Sequence, residues 1–304
     1  MLQNCNVCGD RLLPLYPEVS DPLTKEIFAI MRCGRCGLGH TTPQPDDLGR
    51  YYATQYYGNR HGFTARYCSR RRLGFVRTAL GDGAGKRLLD IGCGDGSFLM
   101  EARRAGWDVM GTELNPAMAR KLGLDVREDI ALVTDKGEFD CITMWHTLEH
   151  MRDIPSMLRQ IGGLLKPGGK LIIAVPDCGG LQARIFGPKW LHLDVPRHLY
   201  HFDNGSLRYC LTSAGFSMER QWHQEFEYDL LSLSQSALNY LMPQYPNIFF
   251  DFLTGKPLSR SNIVNATGLV LGTLLTVLAL PAVLAGTILR RGGTLIAVAS
   301  SGTN

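Results

Sequence analysis

From Lys86 onward the chain alternates between two kinds of segment. Short apolar runs predict strands at residues 87–91, 107–111, 125–127, 139–144, 170–175, 216–222 and 295–299. Between them, apolar residues recur every three or four positions. That period predicts helices over 97–105, 116–122, 154–165 and 204–214. Leu165-Lys166-Pro167-Gly168-Gly169 reads as a helix stop followed by a turn. Strands alternating with helices make an α/β fold, a doubly wound, mostly parallel sheet of seven strands. Two strands follow the last of these helices, so the sheet is expected to close with an antiparallel pair.

Ahead of this domain the pattern changes. Residues 46–85 carry a Tyr-rich stretch and then an amphipathic run with Tyr67, Leu73, Phe75, Val76 and Leu80. Gly81-Asp82-Gly83-Ala84-Gly85 breaks it. Residues 1–45 are rich in Cys, Gly and Pro and show little periodicity. The expected organisation is a small module over 1–45, a helical lead-in over 46–85 and a main domain over 86–304. An apolar helical insertion over 240–291 precedes its last strand.

Composition narrows the function classes. A net charge of +4 over 304 residues is too mild for a nucleic-acid partner. The longest basic run, Arg70-Arg71-Arg72, reads as a solvated helix face. Met1-Leu2-Gln3-Asn4-Cys5 shows no secretory pattern, and the nine cysteines are not spaced as a disulfide scaffold. The cytoplasm is the expected compartment.

The densest chemical signal is Asp90-Ile91-Gly92-Cys93-Gly94-Asp95-Gly96, between the first strand of the main domain and a helix start at Ser97. Glycines there allow positive φ and close approach of a ligand to the backbone. The spacing is G-x-G-x-G, whereas dinucleotide loops read G-x-G-x-x-G. An acid before the loop would repel a pyrophosphate. It suits a ligand with a cationic sulfonium and an ammonium group. The next strand ends in Glu113-Leu114, placed to accept from ribose hydroxyls, and the third in Asp129-Ile130, placed to accept from an adenine amino group.

Residues 86–178 resemble the class I S-adenosylmethionine-dependent methyltransferases. The match rests on Asp90, Gly92, Gly94 and Gly96, on Glu113 and Asp129, on Phe139-Asp140 and Leu148-Glu149-His150, and on the LKPGG turn. The resemblance implies a Rossmann-like fold with S-adenosylmethionine as cofactor. It implies a cofactor site of Asp90, Gly92, Cys93, Gly94, Gly96, Glu113, Leu114, Asp129, Ile130 and Trp145. A nicotinamide oxidoreductase is the competing enzyme reading. A non-catalytic scaffold that keeps only cofactor affinity is the competing non-enzyme reading.

Cys5-x-x-Cys8-Gly9 and Cys33-x-x-Cys36-Gly37 are matching knuckles. Four thiolates so spaced fit a structural zinc ribbon with a closed coordination sphere. Redox pairs or disulfides are the alternatives. His40 is surplus to the four ligands.

Methyl transfer needs an oriented acceptor and, for a hydroxyl, a base. His146, Glu149 and His150 follow the fourth strand, where the family faces its acceptor. Quinone-precursor relatives carry E-x-x-E-H here and hold a divalent cation, but His146 replaces the first Glu, so a metal is not assigned. Pro196-Arg197-His198-Leu199-Tyr200-His201-Phe202 resembles methyltransferases of polysaccharide and glycolipid biosynthesis. His146 or His198 is the expected base and Arg197 the expected substrate anchor. Trp190, Leu193 and Phe202 are expected to pack. The expected acceptor is a sugar or glycolipid, with a quinone-type acceptor as the alternative.

No charge occurs from Ser261 to Leu289, and Arg290-Arg291 follows. The length suits a membrane span, but a single span would carry the last strand away from its sheet. A hairpin broken near Pro281, or a monotopic anchor on the inner membrane face, keeps the fold intact. A buried or homodimer-forming helix pair is the other reading.

Overall fold

A computed structural model of the chain describes residues 3–52, 65–256 and 261–302. Part of the expected lead-in, residues 53–64, lies outside the described residues. Two compact units are interleaved along the sequence. The first comprises Met1–Gly62, Pro176–Leu207 and Trp222–Leu295; the second comprises Phe63–Val175, Arg208–Gln221 and Ile296–Asn304.

The first unit opens with strands β1 (Leu12–Ser20), β2 (Ile27–Cys33) and β3 (Gly39–Thr42). The second begins with helix α1 (Ala65–Leu80) and then alternates: β4 (Arg87–Ile91), α2 (Ser97–Arg104), β5 (Asp108–Thr112), α3 (Ala117–Lys121), β6 (Asp125–Arg127), β7 (Phe139–Trp145), α4 (Ile154–Leu164) and β8 (Leu165–Pro176). The chain then adds α5 (Leu181–Phe186), β9 (Tyr200–His201), α6 (Asn204–Ser213) and β10 (Phe216–Trp222). It ends with α7 (Phe226–Leu241), α8 (Ile248–Leu253), α9 (Asn262–Ile288) and β11 (Thr294–Ser301).

In the second unit the seven strands run in the order β10-β11-β8-β7-β4-β5-β6. Pairs β4–β5, β4–β7, β5–β6 and β7–β8 are parallel. The strands predicted from the apolar runs are all present, most within a residue or two. The exception is β8, which also takes in the LKPGG segment. Gly302 donates to the carbonyl of Gly215, so the end of β11 meets the start of β10, as an antiparallel pair requires. Strand order reverses on either side of β4, and in such sheets the crevice outside the carboxyl ends of the strands binds the ligand. Leu88, Leu89, Ile142, Met144, Ile172 and Ile173 are fully buried and make the sheet the core.

In the first unit β1-β2-β3-β9 form an antiparallel sheet. The amino-terminal cysteine segment shows little periodicity, yet three of these strands lie in it. Register shifts at Pro14/Tyr16 and Tyr16/Val19 break the two-residue alternation of β1 and hide it from periodicity. Val19, Phe28, Ile30 and Tyr51 share a core with Ala183, Trp190, Leu193 and Val195. The packing expected of Trp190, Leu193 and Phe202 is what they do; each is buried.

The apolar carboxy-terminal stretch is one helix, α9, continuous through Pro281. The hairpin broken near Pro281 is therefore overturned. Proline removes one backbone donor and strains the preceding turn, but packing of Ala279, Val283 and Gly286 on both sides holds the helical path. α9 packs on α7 and α8. Beyond them, α7 offers a polar stripe. Ser232 accepts from Trp190 Nε1 at 3.0 Å, Ser236 accepts from the Leu191 amide at 2.9 Å, and Asn239 donates to the Lys189 carbonyl at 3.3 Å.

Candidate active site

The site of the second unit lies where β4, β5, β6 and β7 end. After β4 the chain turns through Gly92, Gly94 and Gly96 at φ of 75°, 57° and 82°. That left-handed backbone favours glycine. A Cβ at Gly92 would lie 2.6 Å from Thr147 Oγ1, so Gly92 meets both a torsional and a steric demand. The Gly92 and Cys93 amides donate to the Thr112 carbonyl at 2.8 and 2.9 Å, stitching the loop to the end of β5. Cys93 points inward, packed under the loop.

Three carboxylates stand around this loop. Asp90 is 2% exposed and accepts from Thr143 Oγ1 at 2.6 Å. Burial pushes its carboxyl up to about 7; Thr143 and the Arg72 guanidinium pull the other way, and Glu113 adds to the rise. Glu113 accepts from the amides of Gly94 (2.9 Å) and Asn115 (3.2 Å). Its neighbour Leu114 is 78% exposed, an apolar side chain standing free beside the acid. Asp129 follows β6 and caps a short turn, accepting from the Ala131 amide at 2.8 Å, with Ile130 buried behind it.

β7 ends in Trp145, buried against Phe98 at 5.6 Å and Phe75 at 6.3 Å between ring centroids. Arg72 of α1 places its guanidinium 5.3 Å from the Trp145 ring centroid and is itself buried. The sequence predicts a solvated face for all three arginines, but Arg72 is turned inward. The run Arg70-Arg71-Arg72 wraps around the helix, and only the third residue turns inward. The signal available was the apolar set Leu73, Val76 and Leu80, which shares that face.

His146 follows with φ of 52°, a strained conformation for a residue with a Cβ, held by its amide donating to the Ala174 carbonyl at 2.9 Å. Its Nδ1 lies 3.7 Å from Glu149 Oε1. Glu149 is fully buried and His150 half-buried on the next turn. Asp140, part of the fourth-strand match, sits at the opposite end of β7. It pairs with Lys166 at 2.8 Å, which holds its carboxyl below the usual range despite partial burial.

The strain at His146 is testable without substrate. Replacing it with glycine should stabilise the protein by about 1 kcal/mol, read as a raised thermal midpoint. A lowered midpoint would mean that the ring's contacts outweigh the backbone strain.

Residues 60–221, just over half of the chain, match a family described as "Methyltransferase domain". The chain belongs to the S-adenosylmethionine-dependent methyltransferases.

Among curated relatives, the methyltransferase is 34% identical over 146 residues to a ubiquinone biosynthesis O-methyltransferase of Xanthomonas oryzae, covering 43% of this chain and 60% of that protein. It is 30% identical over 194 residues to the protein of that name from Bordetella bronchiseptica, covering 56% and 80%. It thus spans between three fifths and four fifths of these relatives' lengths. A solved S-adenosylmethionine-dependent methyltransferase from Archaeoglobus fulgidus aligns over 83% of this chain and 99% of its own, at 19% identity and a TM-score of 0.49.

The methyltransferase carries its remaining candidate residues in the first unit. Cys5 and Cys8 precede β1, Cys33 ends β2 and Cys36 follows it. Their sulfurs all lie within 4.8 Å of one another, with Cys5–Cys36 at 3.7 Å and Cys8–Cys33 at 3.3 Å. Sulfurs placed tetrahedrally 2.3 Å from a zinc ion stand about 3.8 Å apart, so the four fit one metal. Gly9 and Gly37, at φ of 77° and 76°, close the two knuckles. His40 lies apart on β3, edge-on to Tyr200, and burial holds its ring near a pKa of 4.

Arg197 is buried between two carboxylates. Its Nη2 lies 3.0 Å from Asp21 and 2.6 Å from Asp194, and its Nη1 donates to the Tyr51 carbonyl at 3.3 Å. His198 Nδ1 meets the His192 carbonyl at 2.8 Å. A carbonyl can only accept, so Nδ1 carries the proton and Nε2 is the basic nitrogen. The Thr41 hydroxyl donates to the His198 carbonyl at 2.6 Å and lies 3.0 Å from His201 Nε2. The PRHLYHF run therefore completes the ribbon sheet as well as presenting His198. Of the acid, base and anchor candidates, His146, Glu149 and His150 belong to the second unit, and Arg197 and His198 to the first.

Proposed function

We propose that this enzyme transfers a methyl group from S-adenosylmethionine to a hydroxyl of a lipid-linked sugar at the cytoplasmic face of a membrane. Bound at the glycine loop, the cofactor supplies a methyl group on a cationic sulfur. Asp90 and the Gly92–Gly96 backbone hold its amino-acid end, and Arg72 offers a guanidinium to its carboxylate. Glu113 accepts from the ribose hydroxyls, Asp129 and Ile130 take the adenine, and Leu114 and Trp145 supply apolar walls. Cys5, Cys8, Cys33 and Cys36 hold a structural zinc.

The candidate bases are His146 and His150 in the second unit and His198 in the first, each taken by itself, and an imidazole is suited to take a hydroxyl proton. Glu149 orients His146. Arg197 acts by positioning: its two carboxylate partners hold the loop that carries His198.

The observation that carries the sugar reading is a cavity of about 270 Å³ in the first unit. Tyr16 offers it aromatic surface, Arg184 offers a cation, and Arg32 and Asp203, paired at 2.7 Å, offer the polar edges they do not spend on each other. Aromatic faces beside planar polar groups suit a ring that is apolar on its faces and hydroxylated at its edge. A second reading, a quinone-type acceptor, is favoured by the names of the curated relatives. His146 departs from the E-x-x-E-H pattern of that group.

Methyl-labelled S-adenosylmethionine, purified enzyme and a membrane extract test these readings together. Label is expected in the organic phase and should move to water after mild acid hydrolysis, which cleaves sugar phosphates from their lipid. Organic label resistant to acid would mean a quinone-type acceptor. Label confined to the aqueous phase throughout would overturn the lipid-linked reading.

A further inference from the structure

We infer that α9 is an in-plane membrane anchor, which lays one face on the first unit and the other, along its whole length, into one leaflet of an anionic bilayer. The inner face is unbroken. Gly268, Gly272, Ala279, Val283 and Gly286 are buried at helical spacing from one end to the other. A Cβ at Gly268 would lie 2.8 Å from Ile248, and one at Gly272 would lie 2.3 Å from Phe249, so α9 is docked against α8 as closely as glycine allows. Its carboxy-terminal end is tied down as well. Leu181 donates to the Arg291 carbonyl at 3.0 Å, and a Cβ on Gly292 would collide with the His223 carbonyl. A helix held at both ends and along one face is not placed to cross a bilayer on its own.

The outer face is as apolar as the inner one. Val270, Val277, Leu278 and Ile288 are 65%, 60%, 64% and 81% exposed, and Leu274 and Leu284 stand with them. Tyr240 and Leu241 of α7 and Phe252 and Leu253 of α8 are also exposed apolar side chains. Contiguous apolar surface of this kind marks an interaction site. Two observations select lipid as its occupant.

The first is the treatment of polar groups. Ser261, Asn262, Asn265 and Thr267 collect at the start of α9. From Gly268 onward the only polar side chains are Thr273, Thr276 and Thr287. Each donates to the carbonyl four residues back, at 2.8, 2.8 and 3.0 Å. Hydrocarbon offers no partner for a hydroxyl, so satisfaction within the helix is what lipid demands and water does not. At 1.5 Å per residue, this stretch runs roughly 30 Å.

The second is charge. Lys189, Arg290 and Arg291 are exposed, and Lys189 lies 4.3 Å from the centroid of the Tyr240 ring. The carboxylates of α7 and α8 are withdrawn. Asp229 is buried, Glu227 is half-buried, and Asp251 pairs with Lys256 at 3.5 Å. Cations and a tyrosine bordering an apolar face complement anionic headgroups.

This inference deepens the lipid-linked reading but is tested separately from it. Full-length protein is floated with vesicles of phosphatidylcholine alone and with added phosphatidylglycerol. It should float with both, more completely with the anionic lipid. Val270→Glu with Leu278→Glu should lower the bound fraction at least tenfold. Arg290→Glu with Arg291→Glu should reduce anionic binding to the phosphatidylcholine level. Both pairs lie on exposed positions, and unchanged S-adenosylhomocysteine binding verifies that they fold. Asn262→Cys and Leu289→Cys, at opposite ends of α9, should both react with an impermeant maleimide added outside the vesicles, above the background of the parent protein.

Labelling at one end only would overturn the in-plane anchor in favour of a span. Absence of flotation, or a dimer that the Val270/Leu278 pair turns into monomer, would overturn lipid in favour of a second copy. Flotation with a sugar-free methyl product would sink the sugar acceptor and leave the anchor standing.

Discussion

Asp90→Asn should weaken S-adenosylhomocysteine and S-adenosylmethionine binding by on the order of a hundredfold or more and leave the folded protein at least as stable as the parent above pH 7. The two effects come from one carboxyl. Asp90 is buried, and burial holds it near a pKa of about 7, against an ordinary value of 3.8. A raised carboxyl pKa in the folded state means that the protonated form is the favoured one there. Its stability contribution is complete below pH 4, declines as pH rises from 4 to 7, and is gone above about 7. The span corresponds to roughly 4 kcal/mol at most. Asparagine is neutral at every pH and keeps an acceptor for Thr143, so it should remove this decline.

A cationic ligand reverses the preference and draws the carboxyl into its ionised form. Affinity for the cofactor should therefore rise with pH up to about 7 and flatten beyond. Loss of the carboxylate removes a charged partner in a buried site, worth on the order of a hundredfold or more in affinity. Calorimetric titration across pH 5.5–8.5, paired with thermal melts of both proteins, reads both effects. Full cofactor affinity in Asp90→Asn would mean that Asp90 serves the fold of the loop and not the ligand.

Removing the metal from the four-cysteine site should unfold the ribbon sheet. Purified enzyme is expected to carry one zinc per chain. Strong chelation, or Cys36→Ser, should release it and expose β1–β3 to limited proteolysis. The ribbon core is small, with Val19, Phe28, Ile30 and Tyr51 as its own apolar share. Structural zinc contributes apparent binding energies of about 10–16 kcal/mol in small domains, far more than such a core supplies. Cys33 and Cys36 hang at the end of β2, and β3 pairs with β9 through Gly39–His201 and His40–Tyr200. Loss of the metal should therefore also free the PRHLYHF segment. Methyl transfer should fall by more than tenfold while S-adenosylhomocysteine binding at the second unit persists. Zinc content by mass spectrometry, proteolysis and ligand titration distinguish the outcomes. A metal-free protein with an intact ribbon and full activity would refute the structural role.

The glycine loop was legible because its demands are local. Positive φ at three positions of one turn calls for glycine. An acid at each of three strand ends is a spacing that apolar periodicity can place. The cysteine knuckles were legible for the same reason, since each is a run of five residues ending in glycine. The strands of the ribbon were not, because bulges in β1 interrupt its alternation. Arg72 was misplaced because a run of three arginines gives no sign of which one faces inward. That depends on where α1 packs, a matter for Trp145 and Asp90, which lie far along the chain.

The acceptor side was legible only as a list of residues. His198 and Arg197 are neighbours in sequence, yet Arg197 is locked between Asp21 and Asp194 while His198 is held through Nδ1 by the His192 carbonyl, with Nε2 3.9 Å from Asp194. The locking partner Asp21 lies in the cysteine-rich segment, at a position no motif marks. By itself, then, the sequence determined the seven-stranded fold, the glycine loop with its three acids, the four-thiolate cluster and the apolar character of the last helix, all properties of short segments. Only the tertiary structure decided which arginine turns inward against Trp145, that α9 runs unbroken through Pro281, and which of its faces is covered. Those outcomes depend on side chains brought together from distant segments, such as Ile248 and Phe249 seated on Gly268 and Gly272.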